Sequence, residues 1–309
     1  MEEVILKTNN LTKKFGHVVS VNNINMTIDK GDIYGFIGKN GSGKTTTLRL
    51  ITSLIFPSSG DIEIFGEKLE KCSMLTKSRI GAVVEGPVFY PNLSAKDNLE
   101  FYRIQKGIVD RNIISEVLEK VNLKDTGKKK FKNFSLGMKQ RLGIALAIMN
   151  NPDFLILDEP LNGLDPMGIA ELREMIKNLN EEYNITIILS SHILSELAQV
   201  ATKFGFIDNG RLLKEITIDE LNEECNKSIL IRVDDVEKAT MIIEEKLNTN
   251  NFSVINNKEI RLYDYLDNPS EVSFQLNSNG VRVNSINEIG LNLEDYFLNL
   301  IAEENRGDI

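Results

Sequence analysis

Only two cysteines, Cys72 and Cys225, occur in this 309-residue chain, far apart and without CxxC or metal-ligand spacing. That excludes a disulfide framework and a thiolate metal site, and the usage fits a reducing compartment. No run of apolar sequence approaches the length needed to cross a bilayer, and no signal-peptide pattern precedes residue 38; contact with a membrane is expected to pass through a partner. Positive charge is in deficit: 36 Lys and Arg against 45 Asp and Glu leave a formal charge of -9. This argues against a dedicated nucleic-acid binder. A local basic run, Lys128, Lys129, Lys130 and Lys132, reads as a solvated loop, with phospholipid headgroups as its alternative partner. Histidine is also scarce. His17 reads as a surface or packed residue, which leaves His192 as a candidate for chemistry. What the chain does have is length and 41% hydrophobic residues, enough for the cores of two domains.

The most informative segment is GFIGKNGSGKTTTLRL, where Gly38, Gly43, Lys44 and Thr45 fit G-x-x-x-x-G-K-[ST]. Ile33, Tyr34, Phe36 and Ile37 before it read as a buried strand, and Thr46, Thr47, Leu48 and Leu50 after it as a helix, which is the context this phosphate cradle requires. Glycines let backbone N–H groups converge on phosphate oxygens, and the helix N-terminus adds its positive dipole end. Gly38, Asn40, Gly41, Ser42, Gly43, Lys44, Thr45 and Thr46 are the expected phosphate-binding set, with Lys44 on the β- and γ-phosphates and the Thr45 hydroxyl on Mg2+. The predicted ligand is a nucleoside triphosphate.

FLILDEP predicts a second functional element. Phe154, Leu155, Ile156 and Leu157 form a short continuous apolar run, as in a strand covered on both faces of a parallel sheet. Ligands of open α/β sheets lie at the carboxyl ends of such strands, so Asp158 is expected beside the phosphate loop as a Mg2+ carboxylate. Glu159 follows it and is placed to orient and deprotonate an attacking water.

FSLGMKQRLGIALAIM resembles the signature peptide of the ABC ATPase family, with Ser135 and Gly137 at its most telling positions and Gln140 and Arg141 following. LNGLDP looks like the D-loop of that family, ending in Asp165 and Pro166. After a third apolar run (Ile185, Ile187, Ile188, Leu189), SSH places His192 where the family has its switch histidine, and Phe15 takes the place of the aromatic that stacks on adenine. These motifs follow family order from about residue 4 to about residue 220. The signature departs from the commoner LSGGQ form: Phe134 replaces leucine, Leu136 the first glycine and Met138 the glutamine.

The resemblance implies an ATPase using ATP and Mg2+, with Glu159 and His192 catalytic. The signature, Ser135, Leu136, Gly137 and Met138, would meet the ATP of a partner protomer. The implied partners are a second copy, forming an ATP-sandwich homodimer, and integral membrane permease subunits. The implied location is cytoplasmic and peripheral, on the inner face of a bacterial cell membrane.

The loop RIGAVVEGPVFYPNLSAKDNLEF carries Glu85 where ABC proteins usually carry glutamine. In this the chain resembles the subfamily that removes bacitracin or lantibiotic peptides from resistant or producing bacteria. A carboxylate here would add negative charge beside Mg2+, so Glu85 joins Thr45 and Asp158 as an expected metal contact. The functional expectation is an ATP-hydrolysing subunit of an antimicrobial-peptide exporter. Alternatives are export of another substrate, or a soluble ABC ATPase acting on ribosomes or DNA, which normally needs tandem modules or long coiled-coil insertions that this chain lacks. A switch that binds without turnover is opposed by the intact Glu159 and His192.

The expected fold is a doubly wound α/β P-loop ATPase domain over residues 1–220, with an antiparallel β layer from the N-terminal segment. A helical subdomain at about 94–150 has Ile113, Ile114, Val117, Leu118 and Val121 on one face and Ser135 as a helix N-cap. Residues 228–309 read as a small α+β accessory domain in the order strand, helix, two strands, helix, strand, helix, consistent with a split β-α-β arrangement. Its expected features are a stripe of Val236, Ala239, Ile243 and Leu247, a hairpin at Asn256 and Asn257, and a last helix with Leu293, Tyr296, Phe297, Leu300 and Ile301.

Overall fold

The computed structural model describes residues 3–86, 88–225, 228–290 and 293–307. The chain divides into two compact units, Met1–Ile218 and Asp219–Ile309. In the first, β1 (Val4–Phe15), β2 (Val18–Ile24) and β3 (Thr27–Asp29) lead into β4 (Ile33–Ile37) and α1 (Lys44–Ile51). Next come β5 (Ser59–Ile64), β6 (Glu67–Lys68), α2 (Met74–Ser78) and β7 (Ile80–Val83), followed by α3 (Ala95–Gln105), α4 (Ile113–Lys120) and α5 (Leu136–Ala147). The unit ends with β8 (Phe154–Leu157), α6 (Pro166–Glu181), β9 (Thr186–Ser191), α7 (Leu194–Leu197), β10 (Lys203–Asp208) and β11 (Arg211–Thr217).

Two sheets result. β2, β1, β5 and β6 pair in that order with β3 also on β1, all antiparallel, which is the layer expected of the N-terminal segment. The six-stranded sheet has the order β11-β10-β4-β9-β8-β7; β10 to β7 run parallel and β11 closes one edge antiparallel. Every residue of β4, β8 and β9 is buried. Strands covered on both faces need continuous apolar sequence, which is why these runs do not alternate. β9 starts at Thr186, so Ile185 stands just before the strand.

The helical segment is held by side-chain caps. Ser94 and Asp97 form a capping box on α3, and the Ser135 hydroxyl accepts the Met138 N–H at the start of α5. Ile113, Ile114, Val117, Leu118 and Val121 are all buried, so the periodic stripe is the inward face of α4. Lys128, Lys129, Lys130 and Lys132 are exposed.

The second unit contains α8 (Ile218–Cys225), apart from its first residue, then β12 (Ser228–Val233), α9 (Val236–Lys246), β13 (Phe252–Asn256), β14 (Glu259–Leu262), α10 (Pro269–Ser278), β15 (Val283–Ile289) and α11 (Leu293–Gly307). Its sheet has the order β13-β14-β12-β15 with every pair antiparallel, the split β-α-β arrangement expected from the sequence. Ile229, Ile231 and Val233 of β12 share a core with Ala239 and Ile243 of α9 and Val272 and Leu276 of α10. Tyr296 and Phe297 of α11 are buried, and the Tyr296 hydroxyl donates to Glu224 Oε2 on α8 at 2.8 Å. The junction read from the sequence at Asn226 and Lys227 lies outside the described residues.

A buried polar cluster ties the two sheets of the first unit together. Tyr34, fully buried on β4, donates its hydroxyl to Glu215 Oε1 on β11 at 2.8 Å, and the Thr27 N–H of β3 donates to the same oxygen at 3.2 Å. A Cβ at Gly205 would overlap the Tyr34 hydroxyl, so this position of β10 accepts only glycine. Burial raises the Glu215 carboxyl above its ordinary range, an effect partly opposed by these two hydrogen bonds. The folded protein therefore holds this proton more tightly than the unfolded chain. Stability from the group is present at acid pH and declines as pH rises from the ordinary glutamate value, about 4.3, through the elevated one. Glu215→Gln keeps an acceptor for both donors without that titration. Denaturant midpoints should show it gaining on wild type as pH rises above the ordinary glutamate value; a constant difference over that rise would contradict the assignment.

Candidate functional site

The chain leaves β4 at Ile37 and enters α1 at Lys44 through a tight loop. Gly43 precedes the helix with φ 109°, and an added Cβ would stand 2.6 Å from the Ser20 carbonyl oxygen, so both conformation and space require glycine. Asn40 and Gly41 are exposed, whereas Ser42 is buried and its Oγ has no hydrogen-bond partner among the described residues. Lys44 is only 5% exposed; its ammonium donates to the carbonyls of Gly38 at 2.7 Å and Lys39 at 3.3 Å. The Thr46 hydroxyl accepts from Ser20 Oγ at 3.0 Å.

Strand register brings two sequence-distant segments to this loop. β9 pairs with β4 so that Ser191 lies opposite Ile37, and with β8 so that Leu189 lies opposite Leu157. One residue further, Ser190 Oγ donates to Asp158 Oδ1 at 2.7 Å and accepts the Glu159 N–H at 2.8 Å. Thr45 Oγ1 donates to the same Asp158 oxygen at 3.2 Å. Glu159 has φ 47°, outside the usual range for a side-chain-bearing residue, and its carboxylate lies between two cationic or donor groups. Oε1 is 3.2 Å from the Lys44 ammonium, and Oε2 is 3.0 Å from His192 Nδ1. Lys44, Thr45, Asp158, Glu159 and His192 thus form one connected cluster.

The remaining predicted residues sit elsewhere around it. Glu85 and Gly86 border a cleft of about 420 Å3 together with Asp158, Glu159, Leu136, Gln140 and Asn162. The Glu85 carboxylate is paired with the Arg49 guanidinium of α1. Ser135 caps α5, but neither it, Gly137 nor Met138 lines the cleft; Leu136 does. Asp165 caps α6, accepting the Gly168 N–H at 3.1 Å. Phe15, at the end of β1, is 49% exposed with the Lys13 ammonium 5.1 Å from its ring centre, a free face on which a planar group could stack. Sequence reasoning had passed over Ser190 and Arg49. Ser190 could have been suspected from the polar end of an otherwise apolar run, and Arg49 from its i+4 spacing after Thr45.

Comparisons with known proteins find relatives over most of the chain. The ABC transporter family model matches residues 21–162. The chain is 46% identical to the bacitracin transport ATP-binding protein BcrA of Bacillus licheniformis, over 96% of this chain and 97% of that one. It is 44% identical to the lantibiotic transport ATP-binding protein SrtF of Streptococcus pyogenes, over 73% of this chain and 98% of that protein. Among solved structures, a dimeric ATP-binding cassette in a post-hydrolysis state, bound to ADP and Pi, superposes with a TM-score of 0.61. It is 26% identical and covers 69% of this chain and 99% of that chain.

Ser190 is fully buried and bridges the two acids, so Ser190→Ala should leave the Glu159 N–H and one Asp158 lone pair unanswered. Stability should fall by about 1–3 kcal/mol. Misplacement of the carboxylates should lower turnover by about ten- to a hundredfold while nucleotide affinity changes little. Thermal melts and single-turnover rates check both; wild-type turnover would refute the bridging role.

Proposed function

This chain belongs to the ABC transporter ATP-binding family, and from that premise we propose that it powers the export of antimicrobial peptides of the bacitracin or lantibiotic type. The observation that carries the catalytic part of the reading is the cluster of Lys44, Thr45, Asp158, Glu159 and His192 at neighbouring strand ends. The peptide class is supported by Glu85 and by the two transport relatives, named for bacitracin and lantibiotic transport.

Thr45 and Asp158 present hard oxygen donors 3.2 Å apart, a set that suits Mg2+. No cluster of three or more acidic, histidine or cysteine ligands occurs among the described residues. That agrees with an ion whose other ligands are water and phosphate oxygens. The ion would neutralise developing charge on the triphosphate. Lys44 turns its ammonium to the β- and γ-phosphates, and the unpartnered Ser42 hydroxyl is a donor left for a ligand oxygen. Glu159 accepts a proton from the water that attacks the γ-phosphorus as the bond to the bridging oxygen breaks. His192 orients that carboxylate and can answer the γ-phosphate, so its contact differs between ATP and ADP.

We assign residues 1–220 as the ATP-binding domain and 228–309 as an accessory domain for dimer contact or regulation. The lantibiotic relative supports this division, since about three quarters of this chain accounts for nearly all of it. Two copies meet head to tail, each supplying Ser135 and Gly137 to the other's ATP; the dimeric form of the similar ATP-binding cassette supports such an arrangement. Among the described residues no helix is long and apolar enough to cross a membrane. We assign the membrane path to integral permease subunits, with this subunit peripheral on the cytoplasmic face, a role that fits its transport ATP-binding relatives.

Lys44→Ala should abolish productive ATP binding, whereas Glu159→Gln should bind ATP and lose at least about a hundredfold in turnover. In sedimentation, Glu159→Gln with ATP and Mg2+ should form a dimer that ADP does not support. Cells relying on Glu159→Gln for peptide resistance should become sensitive to bacitracin or a lantibiotic. Near-normal hydrolysis would sink the base assignment, and unchanged sensitivity to both peptide classes would sink the cargo assignment alone.

A further inference from the structure

Glu85 and Gly86 follow β7 with φ of 62° and 80°, so the chain reverses there through two consecutive left-handed residues. Glycine takes this conformation freely; glutamate does so only where its surroundings hold it. In this turn Glu85 Oε1 is paired with Arg49 Nη2. Arg49 lies four residues after Thr45 on α1, which puts both on one face of the helix. Both are half-buried, whereas Lys44, Thr47, Leu48, Leu50 and Ile51 of the same helix are buried. That face therefore carries first the hydroxyl that meets Asp158 and, one turn later, the guanidinium that meets Glu85.

The cleft has three carboxylates on its border, Glu85, Asp158 and Glu159. Lys44 and His192 answer Glu159, hydroxyls of Ser190 and Thr45 answer Asp158, and Arg49 answers Glu85. The first two sets of contacts lie in the partly buried cluster, while the Arg49 and Glu85 side chains are 33% and 60% exposed. An exposed pair is screened and weak, so it can bias the Glu85 carboxylate without locking it. A divalent cation entering beside Asp158 would compete with Arg49 for that carboxylate.

We infer that Arg49 is a positioning residue for Glu85: it holds the carboxylate against α1 at the cleft border and releases it when Mg2+ and nucleotide arrive. The pair thereby sets how much Mg2+ the site requires. This rests on the reading above that Glu85 meets the metal in the loaded site.

The test is a double-mutant cycle on the full chain, read as the Mg2+ concentration giving half-maximal binding of a fluorescent ATP analogue. Arg49→Gln should lower that concentration by about two- to fivefold, the range expected for removing one exposed ion pair. Glu85→Gln should raise it, and adding Arg49→Gln to Glu85→Gln should produce no further change. Arg49→Lys, which keeps the charge but not the planar fork, should fall between wild type and Arg49→Gln. In the nucleotide-free protein, amide exchange at Gly86 should speed up in both single variants. An equal Mg2+ shift from Arg49→Gln in both backgrounds would mean a general charge effect and would overturn the inference. So would a response of Glu85→Gln with none from Arg49→Gln. If Glu85→Gln itself leaves the Mg2+ requirement unchanged while Gly86 exchange rises as expected, the ion pair stands and the metal reading of Glu85 fails.

Discussion

A single parallel strand, β9, pairs with β4 along one edge and β8 along the other, and the site depends on that double pairing. The phosphate loop follows β4, the adjacent acids follow β8, and His192 follows β9 itself. Because all three strands run the same way and are covered on both faces, a slip in register would move side chains of different size into the wrong packing layer and pull the strand ends out of line. The register that buries the core is therefore also the one that sets Ser190 against Asp158 and His192 against Glu159.

Charge balance then explains why the cluster can exist partly buried. Lys44 is nearly inaccessible, and an unpaired ammonium there would be costly. Loop carbonyls and Glu159 provide for it, and Glu159 is in turn shared with His192. On the proposed function each of these groups exchanges its present partner for a phosphate, water or metal ligand, which suits an ATPase that must pass between loaded and unloaded states. The Glu85–Arg49 pair extends the same logic to the cleft border.

The second unit has a core of its own, built from β12, β14, α9 and α10, and an all-antiparallel sheet unlike the parallel one that carries the cluster. Every residue of the Lys44–His192 cluster lies in the first unit. The cluster and the antiparallel four-stranded sheet thus lie in different units of the chain.

Periodicity and motif spacing determined the buried strands, the α4 stripe, the Ser135 cap and the element order of the second unit, because each is encoded over a few neighbouring residues; the antiparallel layer followed from the family resemblance. GSGKT and FLILDEP also pointed to the residues that the fold gathers into one cluster, since glycine and carboxylate chemistry leaves few alternatives at that spacing. Tertiary structure decided which groups touch. Ser190 looks in sequence like the polar end of a strand and becomes a bridge only when β9 is set beside β8. Arg49 looks like an exposed helix cation until the turn after β7 brings Glu85 to it. Glu215 sits in a half-buried edge strand, and nothing local marks it as the acceptor for a tyrosine from β4 and an amide from β3. Contacts between residues more than a hundred positions apart depend on sheet order and register, which no local window of sequence contains.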